Sequence, residues 1–278
     1  MSGWRSALFT PANSERMIRK AATLDQDVEI LDLEDAVPEG EKEAARALLS
    51  SLLGELDWRG KRVCVRVNGL AGPEALRDLE LVSRLDAVSC VVVPKAFRGA
   101  ARVVYRVTGR DVVPLVETAE GYAGLEDIAR EEGVVALAWG NADLALSVGG
   151  SPEAYEDSGV REAVVLVAKA YGLVALDRVY FKVDDLEGLR RDSLRARALG
   201  FNGKMVIHPS HVPVVNEVFS PTREEVEWAL KVVRAYEEAA RASRGAIRLE
   251  GQLVDAVHYR LAKAILEAAQ GRSINPSS

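Results

Sequence analysis

Short apolar runs that end on polar or charged residues recur along this chain. Between them lie stretches whose apolar positions return every three or four residues. The first run is Ser6–Thr10, stopped by Pro11, with Asn13 or Ser14 placed to cap a helix reaching about Leu24. Residues 28–35 form a second run that turns acidic at its exit, and a helix to about Leu53 follows the break at Pro38 and Gly40. Further runs fall at 62–68, 89–95, 112–117 and 134–140. A weak seventh is expected at 178–181, after a helix over 160–171, and an eighth at 205–209. These runs are near-continuously apolar, as strands of a parallel sheet are when helices cover it. Eight strand–helix alternations predict an α/β protein whose strands close a (β/α)8 barrel.

Barrel units account for residues 1–220. Residues 221–278 then form a C-terminal helical extension. Thr222 and Glu225 fit a capping box at the start of a helix to about Arg241. A short segment to Gly251, Asp255 and a last helix to about Ala269 follow. A barrel does not need this tail, and such an extension is expected to pack under the barrel, cover its mouth or reach a neighbouring subunit. The loop from Ser147 to Asp157, rich in Gly, Ser and Pro, is long for a barrel connection and is suspected of function.

Composition narrows the field. Thirty-six basic against 42 acidic residues give a net charge of −6, which argues against a general nucleic-acid surface. No stretch approaches the roughly 18 apolar residues of a membrane span, and no charged-then-apolar leader is visible, so a cytoplasmic location is expected. Cys64 and Cys90 sit inside apolar runs and are expected as buried free thiols.

Candidate chemistry gathers at the strand exits: Asp32, Glu34 and Asp35, then Arg66, Lys95, Glu117 and Asp143. In barrels of this kind the C-terminal ends of the strands build the active site. Glu117 and Asp143, on consecutive units, are two hard oxygen ligands suited to Mg²⁺, which keeps open positions for water or substrate. Arg66, between Val65 and Val67, is expected to face inward, paired with Glu34 or Asp35. Lys95 and Lys204 are the lysines available for a Schiff base, Lys95 more naturally staying protonated among acidic neighbours. His208 and His211 have metal-like spacing but no acidic or cysteine partner nearby, so His208 is read as a hydrogen-bonding rim residue and His258 as a helix-surface residue. Gly149-Gly150-Ser151 lacks the spacing of a phosphate-binding loop.

The chain resembles the citrate lyase β-subunit-like family of Mg²⁺-dependent acyl-CoA lyases. The resemblance rests on Leu-Phe-Thr-Pro-Ala-Asn-Ser-Glu-Arg at 8–16, Ile-Leu-Asp-Leu-Glu-Asp-Ala-Val at 30–37 and Val-Arg-Val-Asn at 65–68. It continues through Val-Pro-Lys at 93–95, Glu-Thr-Ala at 117–119, Trp-Gly-Asn-Ala-Asp-Leu at 139–144 and the ten residues Gly200–Pro209. It implies a TIM barrel that makes or breaks a C–C bond between an acyl-thioester enolate and a 2-oxo acid. Glu117 and Asp143 would hold Mg²⁺, Arg66 would meet the reacting carbonyl oxygen, and Glu34 and Asp35 would support both. Asn13, Arg16 and Lys95 would contact the substrate.

The family's lid aspartate, borrowed by a neighbouring subunit of a homotrimer or hexamer, matches Asp255. Leu253-Val254-Asp255-Ala256-Val257 lacks the Met and Pro usual around it. Ala12 and His211 replace a glycine and a glutamine common in the family. Three activities are compatible: a stand-alone lyase on malyl-CoA or citramalyl-CoA, a citrate lyase β subunit acting on a carrier-bound thioester, and an idle interaction protein that keeps the barrel.

Overall fold

The computed structural model describes residues 3–152, 157–241 and 247–269. Eight strands close a parallel barrel in sequence order. They are β1 (Ser6–Pro11), β2 (Val28–Asp32), β3 (Arg62–Arg66), β4 (Cys90–Val93), β5 (Asp111–Val116), β6 (Ala136–Trp139), β7 (Val174–Asp177) and β8 (Gly203–Val206). The covering helices are α1 (Glu15–Ala22), α2 (Lys42–Glu55), α3 (Pro73–Ser83), α4 (Ala100–Thr108), α5 (Ala119–Ala123), α6 (Leu125–Ala129), α7 (Asn141–Ser147), α8 (Ser158–Ala170), α9 (Leu186–Leu199) and α10 (His211–Phe219). The predicted (β/α)8 architecture is the one observed.

Alternation along each strand sorts side chains into two layers. Ile30, Cys64, Val92, Leu115, Ala138, Leu176 and Met205 fill the interior. Leu31, Val65, Val91 and Val93 pack outward beneath the first helices, and Leu137 and Ala175 beneath the later ones. Where strands end, the inward positions pass from apolar to charged. That change of layer composition is what opens a polar mouth on an apolar plug.

Three expectations need correction. The seventh strand is Val174–Asp177, not 178–181. Gly172, at φ 67°, ends α8 early enough for Ala175 to pair with Leu137. Arg178–Phe181 is then free to leave the sheet. Lys204 is no Schiff-base lysine: it points outward, fully buried, with Nζ 2.5 Å from Asp177 and 2.6 Å from Asp192. Arg161 joins the same network at 2.7 and 2.9 Å. Cys64 and Cys90 are not free thiols but a disulfide. The β3–β4 register sets them directly opposite, with Cα atoms 4.5 Å apart, within bridging range. Read one strand at a time, the two cysteines gave no sign of that register.

Gly3 and the described residues from Ser220 to Ala269 form a second compact unit. Its described part holds α11 (Arg223–Arg241), a hairpin of β9 (Ile247–Leu249) and β10 (Gln252–Val254), and α12 (Ala256–Ala269). The capping box is present: Glu225 N donates to Thr222 Oγ1 (3.1 Å) and Thr222 N to Glu225 Oε2 (2.7 Å). Glu250 and Gly251, at φ 50° and 87°, make the two-residue turn, a conformation that suits hairpin twist. Ala229 and Val232 of α11 pack with Val254 and Ala262 in a small core of this unit.

One buried group makes stability depend on pH. Glu29 faces the helix layer from β2 and is fully buried, its Oε2 accepting from Gln26 Nε2 at 2.6 Å. Burial raises its carboxyl from 4.5 to about 8, against hydrogen bonds from Thr10 and Gln26 that pull it down. A folded pKa above the unfolded one means stability is fully present below pH 4.5 and is lost as pH rises toward 8. Glu29→Gln stays neutral throughout. Its melting temperature at pH 9 is expected to exceed that of the wild type by on the order of 5 °C, the gap closing by pH 4.5. Parallel melting curves at both pH values would show Glu29 to be no source of the slope.

Candidate active site

Arg66 ends β3 facing inward, as expected, but its main partner is Asp32, directly opposite it on β2. Nε and Nη2 donate to Asp32 Oδ1 and Oδ2 at 2.7 and 2.6 Å, a bidentate pair that fixes the guanidinium plane. Nη1 lies 2.9 Å from Glu34 Oε2 and 3.8 Å from Asp35. Phe9 stacks beneath the guanidinium, 4.9 Å from its carbon to the ring centre. These carboxylates hold Arg66 charged despite the burial that opposes it. Burial pushes Glu34 upward in turn, with Arg66 and Lys95 holding it back. Lys95 Nζ donates to Glu34 Oε1 at 2.7 Å.

Lys95 follows β4 with φ at 47°, unusual for a residue with a side chain. In that conformation its N–H donates to Glu117 Oε1 at 2.8 Å. Glu117 leaves β5 buried, and Thr118 caps the next turn through Gly121 N, as its sequence position implied. Burial raises the Glu117 carboxyl to about 7; the Lys95 N–H lowers it, and Glu34 and Asp143 raise it further. A desolvated carboxylate among like charges is a site short of positive charge.

The surroundings leave room for a cation. A Cβ on Gly140 would stand 3.0 Å from Glu117 Oε2 and 3.3 Å from its Cβ, so the Glu117 side chain would have to give way to it. Asn141 Oδ1, buried, has no hydrogen-bond partner among the described residues. Glu117, Gly140, Asn141 and Asp143 line one cavity of about 460 Å³ with Asp32, Asp35 and Arg66. Phe9, Leu115, Val179, Phe181, Met205 and Ile207 supply its apolar side. Among the described residues no group of three or more His, Cys, Asp or Glu side chains is set to hold a metal. Glu117 and Asp143 would therefore be two protein ligands with other positions open, an arrangement that suits Mg²⁺.

Several functional residues went unread in the sequence. Asp32 was seen only as one of an acidic group, although strand register alone sets it against Arg66. Lys42 of α2 is buried, and its Nζ donates to the carbonyl oxygens of Leu33 (3.0 Å) and Glu34 (3.1 Å) and to Asn68 Oδ1 (2.5 Å). Asp78 accepts from Asn68 N and Nδ2 at 2.8 and 2.7 Å and from Arg46 at 2.9 Å. This brace holds the chain segment that carries Glu34. Val179 and Phe181 were taken as strand residues and instead wall the cavity.

Other candidates lie around the rim. Asn13 Nδ2 donates to Glu41 at 2.5 Å, and Arg16 is exposed on α1; neither lines the cavity. Exposed His208 bonds Ser210 Oγ at 2.7 Å. His211 is buried, its Nε2 3.1 Å from the Val183 carbonyl oxygen, and burial lowers its pKa. Asp255, in the second unit, caps α12 and bonds the His258 ring at 2.8 Å. The tip of the 147–157 loop, residues 153–156, lies outside the described residues.

Known proteins are similar to this chain over most of its length. A family model described as HpcH/HpaI aldolase/citrate lyase matches residues 5–209, and one described as C–C bond lyase of the TIM-barrel fold matches 156–273. A (3S)-malyl-CoA thioesterase of Cereibacter sphaeroides is 35% identical over 271 residues, covering 96% of this chain and 95% of that protein. The mitochondrial citramalyl-CoA lyase of Homo sapiens is 32% identical over 275 residues, covering 90% and 81%. The crystal structure of protein CitE from Mycobacterium tuberculosis, in complex with magnesium, acetoacetate and coenzyme A, superposes with a TM-score of 0.80. It is 36% identical, with 97% of this chain and 99% of that chain covered.

The contact at Gly140 is open to test. Gly140→Ala would press a methyl group against Glu117 Oε2. Calorimetric titration with Mg²⁺ is expected to show affinity reduced on the order of tenfold or more, with little change in melting temperature. Unchanged affinity would detach Glu117 from cation binding.

Proposed function

The chain belongs to the HpcH/HpaI aldolase/citrate lyase family, and on that premise we propose that it is a Mg²⁺-dependent carbon–carbon lyase. Its substrate would be a 3-hydroxyacyl-CoA thioester such as malyl-CoA or citramalyl-CoA, split into an acyl-CoA and a 2-oxo acid. The observation that carries this reading is the buried, cation-deficient Glu117 sharing a cavity with Asp143 and Arg66. Mg²⁺ held by Glu117 and Asp143 would supply Lewis-acid polarisation of the 2-oxo group.

The protein's own residues do the rest. In the synthetic direction Asp255 takes a proton from the thioester methyl group, and the resulting enolate carbon attacks the carbonyl carbon of the 2-oxo acid. Charge collects on the carbonyl oxygen as the new bond forms. Arg66, locked in plane by Asp32 and carried on a rigid strand, answers that charge without reorganising. Asp35 and Lys95 keep the surrounding charge balanced, Lys95 through Glu34. Cleavage runs these steps backward, Asp255 returning the proton to the enolate carbon. Asn13 and Arg16, on the loop and helix after β1, stand at the mouth end of the barrel, where the coenzyme portion of the thioester would pass.

Asp255 belongs to the second unit, which in our reading covers the mouth of a neighbouring subunit in a homotrimer or hexamer. Leu253, Val257 and Leu261 support this: all three are large, apolar and more than half exposed, and they flank Asp255 on β10 and α12. An apolar stripe beside a proposed base suits a segment that docks and excludes water.

Purified protein with Mg²⁺ is expected to release glyoxylate from malyl-CoA or pyruvate from citramalyl-CoA. Preferential turnover of citryl thioesters would favour the citrate lyase β-subunit reading instead. Glu117→Gln and Asp143→Asn are each expected to lower turnover by about 100-fold or more while the barrel stays folded, since an amide keeps an oxygen but loses the charge that holds a hard cation. Near-wild-type rates at limiting Mg²⁺ would sink the metal assignment.

Exchange of the lid makes a second, sharper expectation. Asp255→Asn and Glu117→Gln are inactive for different reasons and in different parts of a site. Mixed and reassembled in equal amounts, they are expected to recover roughly a quarter of wild-type activity, because each site needs one intact metal centre and one intact lid. Each variant reassembled with itself must stay inactive. If mass measurement confirms subunit exchange and no activity returns, Asp255 does not serve a neighbour.

A further inference from the structure

His258, one turn beyond Asp255, lies in none of the sequence motifs on which the resemblance rests. Its geometry ties it to the proposed base. Asp255 precedes α12 and accepts three hydrogen bonds on a single oxygen. Oδ1 takes Val257 N at 2.9 Å, His258 N at 3.3 Å and His258 Nδ1 at 2.8 Å. Among the described residues Oδ2 has no partner. Both side chains remain about two-fifths exposed.

His258 Nδ1 lies 2.8 Å from Asp255 Oδ1 and 3.4 Å from Asp255 N; an ionised carboxylate only accepts, so the shorter contact takes the proton on Nδ1 and the longer one is then no hydrogen bond. Two backbone N–H groups alone would let the carboxyl turn about its last bond and present either oxygen. The imidazole donor adds a third direction from the side. It assigns Oδ1 to the helix and leaves Oδ2 as the oxygen with lone pairs to offer. Hydrogen bonds from His258 and the two N–H groups also hold Asp255 below the usual carboxylate range.

Resting on the reading of Asp255 as the proton acceptor, we propose that His258 is a positioning residue. Through Nδ1–H it orients the Asp255 carboxylate so that Oδ2 faces the thioester methyl group. The ring itself carries no proton in the reaction. Misplacing a reacting atom by about 1 Å costs on the order of 100-fold in rate, which sets the scale of effect expected from losing the third donor.

Three substitutions separate this role from others. Asn at 258 places an amide nitrogen at the same bond distance from the backbone as Nδ1. Gln places it one bond farther out, and Leu removes the donor while keeping bulk. The readout is kcat and KM with acetyl-CoA and a 2-oxo acid, together with exchange of the acetyl-CoA methyl hydrogens into deuterated water in the presence of Mg²⁺ and oxamate. Melting temperatures confirm that each variant folds.

His258→Leu and His258→Gln are expected to lose on the order of 30- to 100-fold in kcat and in exchange, with KM for acetyl-CoA within about twofold of wild type. His258→Asn is expected to recover to within about fivefold of wild type. If His258→Leu keeps wild-type kcat and exchange, the positioning role is wrong. If His258→Asn is as slow as His258→Leu, the ring acts otherwise than by its Nδ1–H, and the proposal is again overturned. Asp255→Asn is the separate control. Retained exchange in that variant defeats the reading of Asp255 itself, whereas a dead Asp255→Asn beside fully active His258 variants defeats only the role of His258.

Discussion

Everything at the barrel mouth follows from charge placed where water is scarce. Asp32, Glu34 and Glu117 are all buried, within a small region, at the ends of β2 and β5. Such a group is tolerable only if positive charge and donors are supplied in matching number. Arg66 neutralises Asp32 and leans on Glu34, and Lys95 takes Glu34's other oxygen. Glu117 receives one backbone N–H and no cationic side chain, and burial raises its carboxyl to about 7. The imbalance is local. It lies where a divalent cation would complete the set.

Rigidity is supplied from outside the mouth by a second buried polar layer. Lys42, Asn68, Asp78 and Arg46 tie α2 and α3 to the segment after β2, and Lys42 spends its three donors on two carbonyls and an amide rather than on a carboxylate. Removing a buried partner of this kind leaves unpaired groups at a cost of about 1–3 kcal/mol. On the far side of the barrel Asp177, Arg161, Lys204 and Asp192 knit β7 and β8 to α8 and α9 in the same manner. Both networks face the helix layer, not the cavity. Sites of this kind keep their geometry because the strands beneath them cannot shift without breaking buried ion pairs.

The barrel was legible because its signal is repeated eight times, and an error in one unit does not erase the others. The misplaced seventh strand shows the limit: Val174–Leu176 and Val179–Phe181 are equally apolar, and only the pairing of Ala175 with Leu137 chooses between them. Residues carried on strand exits, such as Arg66, Lys95 and Glu117, were readable for the same reason. Asp32 and the Cys64–Cys90 bridge were not, because both depend on which residues of neighbouring strands stand opposite, a relation that hydrophobic period does not encode. Lys42 was missed differently. It is an ordinary helical residue whose meaning lies in hydrogen bonds to a main-chain segment and a side chain that themselves had to be placed first.

The commitments at the mouth also bear on where the base must come from. Asp32 is held by two bonds to Arg66, Glu34 is shared between Arg66 and Lys95, and Glu117 and Asp143 are the pair suited to a cation. Asp35 remains, exposed and 3.8 Å from Arg66, its charge spread into water. A carboxylate that abstracts a weakly acidic carbon-bound proton works best after water has been excluded, when its lone pair is no longer solvated. A mouth group that needs water for its own stability is ill suited to that task. A carboxylate delivered on a covering segment meets the requirement, because the act of covering removes the water. In the proposed reaction Asp255, held by its own helix and by His258, would arrive with its orientation already set.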